Sequence, residues 1–117
     1  MKKVGLISVP VTDQQKSKEF YLRMELTLVA ENNFEKQKWI QLRFPEAGGP
    51  DITLVNWFPD MPAGYLRGAT ILTDDIQADI EKLQLNGIVA GKIDKTPWGK
   101  FASVADPDGN KWTLHQP

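Results

Sequence analysis

The sequence predicts an α+β fold built from two tandem β-α-β-β-β modules, and three observations carry that prediction. Strand-like and helix-like segments follow one another in the same order twice along the 117 residues. The two copies match by residue type, "VTD" at 11–13 with "LTD" at 72–74 and "ITL" at 52–54 with "WTL" at 112–114. A single unit of about 60 residues would leave one sheet face in water, so two units are expected to cover each other.

In the first module, the stretch from Lys3 to about Val9 is partly β-branched and stops at Pro10, which reads as a strand. Asp13 is placed to cap a helix over "QQKSKEFYLRMEL", where Phe20, Tyr21 and Met24 recur at helical spacing. Three strands follow, "LTLVAEN", "QKWIQLRF" and "PDITLVNWF", with the loop "PEAGGP" between the last two. The segment "PDMPAG" then closes the set.

The order restarts at Leu66. "LRGATILT" reads as a strand and "DDIQADIEKLQLNG" as a helix, with an Ile76, Ile80, Leu83 stripe, acidic capping at Asp74 and Asp75, and Gly87 as its stop. "IVAGKI", "WGKFASVA" and "NKWTLHQ" supply three more strands. A turn at "DPDGN" precedes the last of them: Pro107 presets φ, Asp106 and Asp108 accept from nearby amides, and Gly109 supplies a left-handed residue. The whole chain, 1–117, then forms one domain of module 1 (1–58), a connector (59–65) and module 2 (66–117).

Composition narrows the function classes. With no cysteine there is no disulfide, thiolate metal site or cysteine nucleophile. The net charge of −1, with its Lys and Arg residues scattered, argues against nucleic acid as a partner. Nothing approaches the roughly 20 apolar residues of a membrane span, and Pro10 and Asp13 interrupt the apolar start, so a cytoplasmic protein is expected. "EAGGP" opens no helix and has no phosphate-binding pattern, and no G-x-S-x-G or H-E-x-x-H motif occurs.

The paired module plan, the strand-to-helix "VPVTDQQKSKEFY" and the closing "DPDGNKWTLHQ" resemble the vicinal oxygen chelate superfamily over essentially the whole chain. That group includes glyoxalase I, bleomycin and fosfomycin resistance proteins and extradiol dioxygenases. The resemblance implies a curled eight-stranded mixed sheet around a cleft, often completed by a second subunit, and hence a homodimer. The edge strands of so short a chain point the same way.

Relatives that do metal chemistry place His or Gln on the first strand and Glu on the last strand of each module. Carried over, those positions fall at Leu6, Thr53, Arg67 and Thr113. An aliphatic chain, a guanidinium and two neutral hydroxyls make a poor ligand set, and His115 is the only histidine. Neither a metal nor another cofactor is therefore expected.

Strand alternation turns Lys111, Thr113 and His115 inward and Trp112 and Leu114 toward the helices. The same count brings Thr53, Val55 and Trp57 inward, with Ile52 and Leu54 under the helix. Phe101 and Ser103 match positions that line the apolar pocket of glyoxalase-like relatives, and Trp98 is placed at the rim. The expected function is metal-independent binding of a compact, partly aromatic or anionic small molecule. Arg67 and Lys111 argue against a strongly cationic drug such as bleomycin. The alternatives are a glyoxalase I-like lyase or isomerase, or a related enzyme with His115 as general base, and a dimeric interaction module without a ligand.

Overall fold

The structure, a computed structural model, describes all 117 residues. Its elements follow the expected order: β1 (Leu6–Pro10), α1 (Gln14–Arg23), β2 (Thr27–Phe34), β3 (Gln37–Arg43), β4 (Asp51–Val55), β5 (Ala69–Leu72), α2 (Ile76–Leu85), β6 (Asp94–Thr96), β7 (Gly99–Ala105) and β8 (Lys111–Gln116). The helices begin where side-chain oxygens satisfy their first amides. Asp13 accepts from Lys16 N at 3.1 Å, and Asp75 rather than Asp74 accepts from Ala78 N at 3.0 Å. Gly87, at φ +79°, supplies the left-handed residue after the Asn86 cap of α2.

The strands form two separate four-stranded sheets, ordered β1-β4-β3-β2 and β5-β8-β7-β6. The fold is thus α+β with tandem β-α-β-β-β modules, but the single curled eight-stranded sheet expected from the sequence is replaced by two open ones. In each, the first strand runs parallel to the fourth, with Ser8 opposite Thr53 and Thr70 opposite Thr113. No strand pairing joins the sheets, which leaves β1, β2, β5 and β6 each with an unpaired edge.

Several strand boundaries depart from the sequence reading: β1 begins at Leu6 rather than Lys3, and β4 ends at Val55, short of Trp57. "IVAGKI" is not a strand beyond one bridge from Ala90 to Val104, and β6 begins only at Asp94. Gly91 lies so close to β7 that an added Cβ would stand 3.0 Å from Ser103 Oγ, and its amide donates to the Ser103 carbonyl at 2.8 Å. Fifth-strand pairing starts at Ala69 because Gly68, at φ +79°, breaks the extended run before it.

One core serves both modules. Ile40, Leu42, Ile52 and Leu54 of the first sheet meet Phe20, Tyr21 and Met24 of α1, while Trp112 and Leu114 of the second meet Ile76, Ile80 and Leu83 of α2, all in one buried cluster. Each such side chain contributes about 1.5–3 kcal/mol on burial. The "DPDGN" turn rivets the modules together. Asp106, buried, accepts from Tyr21 Oη at 2.8 Å and from Asn110 Nδ2 at 2.8 Å, while Asn110 Nδ2 also donates to the Pro10 carbonyl at 2.8 Å and its Oδ1 accepts from Leu66 N at 2.9 Å. Asp108 reaches back to accept from Thr12 Oγ1 at 2.6 Å. Joined this way rather than through strand edges, the chain is elongated, 47 × 35 × 26 Å.

Candidate functional site

Because side chains alternate along β1, β3 and β4, the face of the first sheet turned away from α1 collects Leu6 and Ser8, Trp39 and Gln41, and Asp51, Thr53 and Val55. A concavity of about 310 Å³ opens there. Ser8, Thr53 and Val55 form its floor, Trp39, Trp57 and Phe58 its aromatic wall, and Leu6, Phe34 and Gln37 its lip. The Ser8 and Thr53 hydroxyls lie 3.3 Å apart and supply polar points on an otherwise mostly apolar surface. A flat aromatic molecule is the ligand shape such walls suit, since ring faces stack with sequence-independent apolar contact and a few polar points fix orientation.

Of the residues singled out in the sequence, Thr53, Val55 and Trp57 are brought together in this concavity. Trp57 contributes from beyond the end of β4, not from within the strand. Thr53 is only 2% exposed, so its hydroxyl meets a ligand only beneath other contacts.

The second module's candidates occupy the corresponding face of the other sheet, outside that concavity. Phe101 and His115 pair across β7 and β8 and stack at 4.2 Å with planes 3° apart. Ser103 stands opposite Thr113, and Lys111 is exposed at the start of β8. Trp98, 77% exposed, sits at the tip between β6 and β7. The single intrachain cleft holding both sets is therefore not formed, because no strand pairing brings the two sheets edge to edge.

Two of the singled-out residues are engaged by hydrogen bonds within the chain. Arg67 lies outside β5, and its guanidinium donates to the carbonyls of Gly64, Leu66 and Gly109 at 2.9, 2.7 and 3.0 Å. Through Nη1 it stitches the connector to the "DPDGN" turn. His115 donates from Nε2 to the Trp98 carbonyl at 3.0 Å, which leaves only Nδ1 to accept a proton. That bond and the Phe101 stack make His115 a brace for the 96–99 hairpin.

The register also moves the positions comparable with a family metal site. Thr53 faces Ser8 rather than Leu6, and Thr113 faces Thr70 rather than Arg67. All four are neutral hydroxyls, a donor set that does not fit a divalent ion. No group of three His, Cys, Asp or Glu side chains is arranged to hold a metal ion.

Sequence reading missed the polar network beneath the aromatic wall. Trp39 Nε1 donates to Gln41 Oε1 at 3.1 Å, Gln41 Nε2 donates to Asp51 Oδ2 at 2.7 Å, and Arg43 donates to both Asp51 oxygens at 2.8 and 2.9 Å. The Arg43 hydrogen bonds hold the Asp51 carboxyl below its ordinary range, and Asp51 in turn raises the Arg43 guanidinium. The signal was available in "QKWIQLR", where Trp39, Gln41 and Arg43 alternate with Ile40 and Leu42.

A larger groove of about 840 Å³ runs between the modules. Its floor of Ile7, Ile52, Ile71 and Leu114 belongs to the helix-covered faces, and two of its rim carboxylates are already committed, Asp75 to the α2 cap and Asp79 to the Thr73 hydroxyl. The aromatic concavity is the smaller and the more apolar of the two.

Comparison with known proteins agrees with this architecture. The family profile described as the Glyoxalase/Bleomycin resistance protein/Dioxygenase superfamily matches residues 3–114. TnmS3, an antibiotic binding protein from Streptomyces sp. CB03234, is 42% identical with a TM-score of 0.91, over 100% of this chain and 97% of its own. A glyoxalase/bleomycin resistance protein from the same Streptomyces strain is 41% identical with a TM-score of 0.85, over 97% and 100%. The uncharacterized protein YetH of Bacillus subtilis (strain 168) is 27% identical over 99% of both chains. With the profile spanning nearly every element and the fold matching throughout, the chain belongs to the Glyoxalase/Bleomycin resistance protein/Dioxygenase superfamily.

Proposed function

We propose that this protein binds a compact, planar, aromatic small molecule without chemical change and without a metal, sequestering it as an antibiotic-binding protein does. The observation that carries the reading is the concavity walled by Trp39, Trp57 and Phe58 over a floor of hydroxyls. Stacking on such walls needs no base, nucleophile or cation. The likeness to TnmS3, whose description is an antibiotic binding protein, supports the same class of activity. The anionic part of the sequence expectation has weaker support, since Arg67 lies outside the concavity and its Nη1 donates to the carbonyls of Gly64, Leu66 and Gly109.

The binding form in this reading is a homodimer of one-domain chains, each with halves 1–58 and 66–117. A second copy would lay the face carrying Phe101, Ser103, Lys111, Thr113 and His115 across the concavity. Leu72 at 72% exposed and Trp98 at 77% support this, as does the unpaired edge of each first strand. No helix is long and apolar enough to cross a membrane, so nothing in the helices competes with a small-molecule role.

Native mass spectrometry tests the proposal. With acridone, a neutral tricyclic fluorophore, added in excess, the prediction is a dimer carrying acridone and no tightly held metal. A protein that takes up no acridone, or that retains one divalent ion per chain through desalting, would refute it.

A further inference from the structure

We propose that Gln41 and Asp51 are positioning residues that fix the plane of the Trp39 indole, so that the concavity meets its ligand with the ring face of Trp39 and not with its N–H. The inference rests on the binding reading above and adds how the site selects among ligands.

The direction of the relay follows from chemistry. A carboxylate accepts and cannot donate, so Asp51 turns the Gln41 amide nitrogen toward itself, and the amide carbonyl is thereby turned to the Trp39 N–H. Arg43 locks the far end with two N–H···O bonds to the same carboxylate, which prevents Asp51 from rotating away. Gln41 stands opposite Thr53 in the ladder between β3 and β4, so the relay runs beside the floor of the concavity. Its consequence is that the Trp39 indole donor is consumed inside the protein. A ligand edge bearing an acceptor gains nothing against Trp39, whereas a flat apolar ring gains the whole indole face. The site then discriminates by aromatic area, with polar recognition left to the Ser8 and Thr53 hydroxyls and the Gln37 amide at the lip.

The test reads the free protein and the bound one separately. Solvent exchange of the Trp39 indole N–H is measured by NMR, with Trp39→Phe identifying the resonance. Gln41→Met keeps the length of the side chain and removes both hydrogen bonds. Gln41→Glu combined with Asp51→Asn moves the negative charge one step and restores an acceptor for Trp39 and a donor for residue 41. The expected result for Gln41→Met, with thermal unfolding confirming a folded chain, is indole exchange at least tenfold faster and acridone affinity at least threefold weaker. The double substitution is expected to recover both. Exchange unchanged in folded Gln41→Met, or a double variant no better than Gln41→Met, overturns the relay; faster exchange with unaltered acridone affinity overturns its role in binding. If wild-type protein does not bind acridone while the exchange results come out as expected, the binding reading fails and the relay remains as a fixture of the free protein.

Discussion

Tyr21 on α1 donates its phenolic proton to Asp106 at 2.8 Å, across 85 residues of chain, and at the same time accepts from Trp112 Nε1 at 2.9 Å. This pair ties the first module to the turn before β8. Burial, and then the neighbouring carboxylate, push the Tyr21 phenol far above its ordinary range, so it is a neutral donor near neutrality. Tyr21→Phe removes the hydroxyl and leaves both Asp106 and the Trp112 N–H short of a partner. The predicted cost is about 1.5–3 kcal/mol, because bonds to charged groups fall in that range. Urea unfolding should show it as a lower midpoint with unchanged slope.

The connector is expected to tolerate little at Gly64. Its φ is +82°, and an added Cβ would collide with the Asp108 carbonyl oxygen, which the turn network holds in place. Gly64→Ala is predicted to cost at least about 1 kcal/mol. A control at Gly48, also at positive φ but with open space where its Cβ would go, should cost less. Thermal unfolding of the two variants side by side decides the ranking.

Acid should act on the first sheet through Asp51. Its carboxyl ionises below the ordinary 3.8 in the folded chain because Arg43 donates to it, so the unfolded chain binds that proton at higher pH than the folded one does. Stability from this group is therefore complete above the unfolded value and is lost as pH falls through 3.8 toward the folded value. In a pH series of urea unfolding, the gap between wild type and Asp51→Asn should be constant near neutrality and narrow below about pH 4. A gap that widens in acid would contradict the assignment.

His115 is predicted to act as a hairpin brace. His115→Ala removes the bond to the Trp98 carbonyl and the stack on Phe101. The expected loss is about 1 kcal/mol of stability, with faster amide exchange confined to residues 96–99. Gly99 should be equally intolerant, since an added Cβ there would meet the Gln116 carbonyl and stand 3.0 Å from His115 Nε2.

These residues also mark how far the sequence is legible. The helices, their aspartate caps and the buried stripes follow from local periodicity, and the shared face of Thr53 and Val55 follows from counting by twos, whereas Trp57 reaches the concavity from beyond the end of β4. Asp106 and Asn110 read locally as turn formers, and as turn formers they do serve. Their partners Tyr21 and Pro10, however, lie 85 and 100 positions away, and no local pattern encodes such distances. Arg67 reads as a strand residue until Gly68 is seen to break the strand before Ala69. Three members of the Trp39–Gln41–Asp51–Arg43 network share one face in the alternation of β3. Its fourth member depends on the register between β3 and β4, which tertiary pairing sets. The separation of the two sheets was hidden for the same reason, since repetition reveals two modules but not whether their edges join.

Binding by aromatic stacking is the central claim, and a fluorescence titration with acridone tests it most directly, comparing wild type with Trp57→Ala. The account predicts saturable quenching of tryptophan emission in wild type and an affinity at least tenfold weaker in the variant, about 1.4 kcal/mol. Equal affinities in the two proteins, or no saturable quenching in wild type, would contradict it.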